Sequence, residues 1–192
     1  MEFIYTGNNV FLLFGVVVAC FVLFYFIFRM LKGRGKVIDN VTDPAKLNEM
    51  ANEFAEQKNF KKEIKCYHKA AEQGNKDAQL ALGVMYNIGH GVPQDDKAAV
   101  KYYKLAAEQG NAKAQYNLGV AYTEGKGVRQ DDKVAVEYYK LAVEQGHAKA
   151  QYNLGVMYYR GQGLPQDDKA AVKYIKLAAE QGHAPALDLL RK

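Results

Sequence analysis

The sequence predicts an all-α protein: a solenoid of tandem helix-turn-helix repeats preceded by one transmembrane helix. Three observations carry this. The phrases LAAEQG, LAVEQG and LAAEQG end at Gly110, Gly146 and Gly182, a constant step of 36 residues, and a partial copy, KAAEQG, ends at Gly74. A fixed period of roughly 20–50 residues is the signature of a stacked repeat array. Apolar residues inside each unit recur at three- and four-residue spacing, the period of a helix with one buried face. Val10 to Phe28 forms an apolar run without a charge or a proline. The expected organisation is a tail at 1–9, a transmembrane helix at 10–28, a basic linker at 29–42, an atypical repeat at 43–74, full repeats at 75–110, 111–146 and 147–182, and a capping helix at 183–192.

A membrane-crossing helix needs about 20 predominantly apolar residues, and the run from Val10 meets that length. A cleaved signal peptide is the competing reading. It wants basic residues before the apolar core, a core of about 7–15 residues and a small-residue cleavage site. Here Glu2 is the only charged side chain before the run, the run is longer, and no such site follows. The residues favour an uncleaved anchor. Arg29, Lys32, Arg34 and Lys36 follow it directly, so the positive-inside rule puts the repeats in the cytoplasm and the N-terminus outside. The expected protein is single-pass, in the inner (plasma) membrane, with its linker bases near anionic lipid.

The chain carries 26 Lys and Arg against 21 Asp and Glu, a formal charge of +5. Four of those bases and two of the acids precede residue 41, leaving a near-balanced array. Nucleic-acid binding is therefore not expected. Cys20 lies in the apolar run and Cys66 on a helix of the array, which excludes a disulfide framework, and no CxxC metal spacing occurs.

In the first repeat Asp43-Pro44 marks a helix start. Leu47, Met50, Ala51, Phe54 and Ala55 form one apolar face, Gln57–Phe60 a tight connection, and Ile64, Tyr67, Ala70 and Ala71 a second helix. Lys58, Lys61, Lys62, Glu63 and Lys65 are expected on a polar outer face. In each full repeat the first helix presents Ala78, Leu82, Gly83 and Tyr86 or their counterparts inward. Glycine in a helix interior costs about 1 kcal/mol against alanine, yet it recurs at 83, 119 and 155. Close approach of the second helix explains that choice. The loop glycines 89 and 91, with their copies, end the first helix, and Val92, Val128 and Leu164 plug the hairpin end. Asp95-Asp96 and its copies start the second helix as caps. The same paired carboxylates could serve a metal or acid–base chemistry, but no histidine or third carboxylate repeats beside them. After Gly182, Ala186 and Leu190 stand where Ala78 and Leu82 do, and Arg191 replaces the glycine.

The motif A-x-x-x-L-G-x-x-Y-x-x-G-x-G-V-P-Q-D, followed by A-x-x-Y-Y-x-x-A-A-E-Q-G, resembles Sel-one-like repeats, a subclass of the tetratricopeptide-type solenoids. Residues 75–110 match it nearly in full, and Arg129, Val143 and Ile175 depart from it in later copies. The resemblance implies a right-handed α-solenoid that binds partner proteins on the concave face of its first helices. Carried over, those positions are Leu80, Val84, Asn87 and Ile88; Tyr116, Val120, Thr123 and Glu124; and Tyr152, Val156, Tyr159 and Arg160. They differ between repeats far more than the scaffold does. Such variation reads either as partner selectivity or as drift on a solvated face.

Catalytic chemistry finds little support. The chain contains no serine. His147 and His183 stand where Asn75 and Asn111 open other repeats, so they read as turn residues, and no phosphate-binding loop follows the glycine pairs. The expected function is a membrane-anchored scaffold or adaptor for a protein partner, in contact with the bilayer through 10–28. The alternative is an immunity or regulatory protein that neutralises a toxin or enzyme by capping it. An enzyme is the least supported reading, and no cofactor, metal or small-molecule substrate is expected.

Overall fold

The computed structural model describes residues 38–191. The expected anchor, 10–28, lies outside them. Among the described residues no helix is long and apolar enough to cross a membrane. The chain divides into a unit ending at Thr42 and a second running from Asp43 onward. The second unit is a succession of helices: α1 (Pro44–Glu56), α2 (Phe60–Glu72), α3 (Lys76–Ile88), α4 (Asp96–Glu108), α5 (Ala112–Glu124), α6 (Asp132–Glu144), α7 (Ala148–Arg160), α8 (Asp168–Glu180) and α9 (Ala184–Leu190). Each packs chiefly on its neighbours in sequence. That is the wiring of a solenoid, in which every hairpin buries its apolar face on the next.

The copied polar residues set the helix ends. Asp95 accepts the backbone N–H groups of Lys97 and Ala98 at 2.9 and 3.0 Å, and Asp131 and Asp167 do the same work on α6 and α8. Asp96, Asp132 and Asp168 add acidic charge in the first turn, where the helix dipole favours it. The pairs are therefore caps. Gly89 closes α3 in the left-handed conformation at φ 74°. The second loop glycine has a different task. At Gly127 and Gly163 an added Cβ would run into the backbone at Asp96 and Asp132 of the preceding repeat. These glycines let one hairpin loop sit on the start of the previous second helix.

The mid-helix glycines behave as expected. A Cβ on Gly83 would lie 2.5 Å from the Tyr103 ring, one on Gly119 2.5 Å from Tyr139, and one on Gly155 2.8 Å from Ile175. Bare backbone at these points seats Tyr103, Tyr139 or Ile175 of the second helix. Around this contact stack Tyr86 on Tyr102, Tyr122 on Tyr138 and Tyr158 on Tyr174, each pair 5.7 Å between ring centres.

The copied glutamine of AEQG also has a role, one that pattern reading overlooked. Gln109 donates to Oε1 of buried Gln79 at 2.7 Å, and Gln79 donates to the carbonyl of Ala71 in the previous repeat at 3.2 Å. Gln145 and Gln115 repeat this onto Ala107, and Gln181 meets Gln151. A buried polar side chain is tolerable only with partners, so the ladder locks the register between repeats.

Two expectations need correction. Glu63 does not lie on the outer face. It occupies the position of Ala99, pointing inward, and is 4% exposed. Its carboxylate lies 3.7 Å from His90 on the loop of the next repeat. The atypical hairpin thus meets its neighbour at His90, through Glu63 and through ring contact between Phe60 and His90. Leu190 is 45% exposed although its counterpart Leu82 is buried, because no second helix closes over it among the described residues. Ala186 is the part of α9 that covers the array.

Candidate functional site

The first helices α3, α5 and α7 turn one stripe inward. In α3 it is Ala78, Gln79, Leu82, Gly83 and Met85. The opposite stripe holds the positions expected to bind a partner. The structure gathers ten of those twelve into three clefts that cross from helix to helix. Leu80 and Val84 wall a cleft of about 350 Å³ together with Lys113, Tyr116 and Asn117 of α5 and His147, Ala148 and Lys149 of α7. Tyr116 also walls a cleft of about 390 Å³ with Val120, Thr123, Glu124, Tyr152, Val156 and Arg160. Asn87, Val120 and Glu124 border a smaller one of about 250 Å³. Ile88 and Tyr159 lie outside all three, 64% and 62% exposed.

These side chains differ in how far the fold has already engaged them. Asn87 donates to Asp96 Oδ1 at 3.3 Å. Thr123 donates its hydroxyl to the carbonyl of Gly119 at 2.8 Å. Its oxygen then accepts from Tyr139 at 3.4 Å, and Tyr139 accepts from Asn153 at 3.1 Å. Burial holds the Tyr139 phenol above its ordinary pKa, so it remains a donor at neutral pH. Glu124 meets Lys126 at 2.7 Å. Among the described residues Arg160 makes no ion pair.

Sequence reasoning missed Lys113, Lys149, Asn117, Asn153 and His147, which share the cleft walls. The family resemblance carries over four positions of each first helix, and these residues are not among them. Lys113 and Lys149 agree, and Asp77 is the odd member; Asn117 and Asn153 agree, and Ala81 is odd. His147 caps α7 through Nδ1, which accepts the Ala150 N–H at 3.3 Å. The expectation of a turn residue fits this. The ring also stacks on Tyr116 at 4.8 Å, so it belongs to the surface as well. His183 lies 4.9 Å from Tyr152 with its ring tilted and makes no capping bond.

The remaining reactive groups are placed for structure. His68 lies between two phenols, with Tyr86 at 3.3 Å on one ring nitrogen and Tyr102 at 3.2 Å on the other. Burial lowers its pKa. Cys66 is fully buried, and burial raises its thiol to about 11, the opposite of an activated nucleophile. Among the described residues no three His, Cys, Asp or Glu side chains come together to hold a metal ion.

A stack of helical hairpins with a recurrent glycine seat and one variable face defines an α-solenoid of the tetratricopeptide type. The chain belongs to the Sel1 repeat family, whose model matches residues 57–75, 76–111, 112–147 and 148–183. Its fold is similar to a protective antigen of uropathogenic Escherichia coli strains that displays an SLR fold: 34% identity, TM-score 0.76, over 84% of this chain and 35% of that one. It is also similar to a Sel1 repeat protein from Oxalobacter formigenes, at 34% identity and TM-score 0.68 over 72% of this chain and 57% of that one. Helicobacter pylori cysteine rich protein B aligns at 28% identity and TM-score 0.54, over 69% of this chain and 95% of that one. The chain thus spans about a third of the first protein's length and just over half of the second's. Among curated proteins no sequence matches it.

Proposed function

We propose that this chain is a membrane-anchored scaffold that binds a partner protein along its first helices. One observation carries the reading: ten of the twelve positions expected to meet a partner line clefts that share walls on one face. Val120, Val156, Tyr116 and Tyr152 offer apolar contact there, with polar groups at the edge. Aromatic anchors inside a polar rim are the usual anatomy of a binding surface. The anchor at 10–28 would hold this face at the cytoplasmic side of the membrane, where the bases after it belong.

Topology and binding are tested separately. A single cysteine at exposed Lys169, in a chain with Cys20 and Cys66 replaced by alanine, should resist a membrane-impermeant thiol reagent in intact cells and react after lysis. Labelling from outside would refute the cytoplasmic placement. Partners cross-linked to the full chain in solubilised membranes should be lost with Tyr159→Ala and Arg160→Ala together while the fold is kept. Unchanged capture would refute the assigned face. Capture of one toxin or enzyme whose activity the chain abolishes would favour a neutralising role over an adaptor.

A further inference from the structure

We propose that the cleft between α3, α5 and α7 takes an acidic segment of the partner protein. The segment would seat an apolar side chain against Leu80, Val84 and Tyr116 and set its carboxylates at Lys113 and Lys149. This rests on the binding face assigned above and adds the chemistry of what it binds.

The walls define the two halves of that ligand. Leu80, Val84 and the Tyr116 ring are apolar, and the space of about 350 Å³ suits one or two side chains. The charged residues on the walls are both lysines, and among the described residues no carboxylate lines the cleft. Lys113 and Lys149 are exposed, and neither has an acid within ion-pair distance among the described residues. Asp77 holds the equivalent position in the first full repeat, and there it accepts from Asn111 at 3.3 Å. The unbalanced positive charge therefore begins with the second full repeat, where the cleft opens.

Position on the helix sharpens the point. Lys113 lies in the first turn of α5 and Lys149 in the first turn of α7. That end of a helix already carries partial positive charge, and a cation there is unfavourable. The unfavourable choice is made twice at the same edge. A bound anion would offset it, because free backbone N–H groups, the dipole and the ammonium groups all attract negative charge there. The field reaches the cleft floor: after burial, Lys149 and Lys113 are the causes that lower the pKa of His147. Across Tyr116, the adjoining cleft carries Glu124 and Arg160 together. Acid preference therefore belongs to the lysine end and gives the segment a direction.

The experiment is selection from a displayed library of random peptides, mixed with overlapping peptides of this chain, by the full-length protein in detergent. The expected winners pair an apolar residue with carboxylates. One such peptide, synthesised free, should lose at least tenfold in affinity with Lys113→Glu/Lys149→Glu and with Val84→Asp. It should be unaffected by Lys133→Glu/Lys169→Glu, which changes net charge equally in the first turns of α6 and α8. Circular dichroism of each variant establishes that it is folded. Neutral or basic winners that Val84→Asp abolishes would overturn the acidic partner and leave the binding face standing. Winners indifferent to every first-helix change, or no winners, would overturn both. Winners drawn from this chain's own sequence would identify a second copy as occupant and overturn a separate partner.

Discussion

Gly119→Ala separates a packing requirement from a simple helix preference. Replacing glycine by alanine in an open helix interior should stabilise by about 1 kcal/mol. At Gly119 the new methyl would lie 2.5 Å from both Cδ1 and Cε1 of Tyr139, against ordinary carbon contacts of about 3.5–4.0 Å. The ring must retreat by about 1 Å. It is 2% exposed, sits in the core with Leu154 and Met157, and is held by Asn153 and Thr123. Overpacking of this kind costs about 1–3 kcal/mol. The preference gain of about 1 kcal/mol is cancelled, and a net loss of up to about 2 kcal/mol is expected. For an array of this size that lowers Tm by up to about 8 °C. Gly119→Val adds two more methyls at the same point and should lose more. The assay is thermal and urea unfolding of the full chain followed by circular dichroism, with Tyr139→Leu as partner in a double-mutant cycle. In the leucine background the alanine penalty should shrink by at least 1 kcal/mol. A stabilised Gly119→Ala, or a penalty unchanged by Tyr139→Leu, would refute the seat.

Two further outcomes follow from the copied polar residues. Gln109→Leu should destabilise by about 1–3 kcal/mol in urea unfolding, because it strips a partner from Gln79, which is 3% exposed; Gln79→Leu/Gln109→Leu together should recover much of that loss. The array should also lose stability in mild acid. His147 accepts the Ala150 N–H only when neutral, and its folded pKa lies below the ordinary value of 6.5. The unfolded chain therefore binds the proton first. The cap's contribution is complete above about pH 6.5, falls as pH drops below it, and is fully lost beneath the folded pKa. His147→Asn, the residue found at position 111, should flatten that part of a Tm-against-pH curve. A curve with unchanged slope would show that the cap carries no such linkage.

The fold was legible because most of it is local and repeated. The period of LAAEQG, the mid-helix glycines and the Asp pairs each point to a backbone task that the residue type alone can perform. Contacts between units were harder to read. The Gln79–Gln109 bond joins residues thirty positions apart, and no helical period foretells it. Glu63 misled because a glutamate among lysines looks solvated, whereas alignment with Ala99 marks it as inward. The candidate face was legible as positions and not as a surface. The family resemblance pointed to Leu80 through Arg160, but Lys113 and Lys149 became visible only when α3, α5 and α7 were set side by side.

The geometry also divides those varying positions into two kinds, and this bears on whether their variation reflects selectivity or drift. Asn87 bonds to Asp96, and Thr123 bonds to Gly119 and Tyr139. Each therefore has an internal reason to be what it is, and its difference from its counterparts needs no partner. At that position of the third full repeat stands Tyr159, an aromatic ring 62% exposed, and beside it Arg160, a guanidinium without an ion pair among the described residues. Neither stabilises the hairpin in an evident way, and an exposed tyrosine gains little by folding alone. Residues of these two types are the ones that contribute most when buried at interfaces. Drift on a solvated face would favour small or charged residues as readily at 159 as at 123. Selectivity is thus best sought at Tyr159 and Arg160 and at the lysine pair, since Tyr116 lines both the cleft that holds Lys113 and Lys149 and the one that holds Arg160.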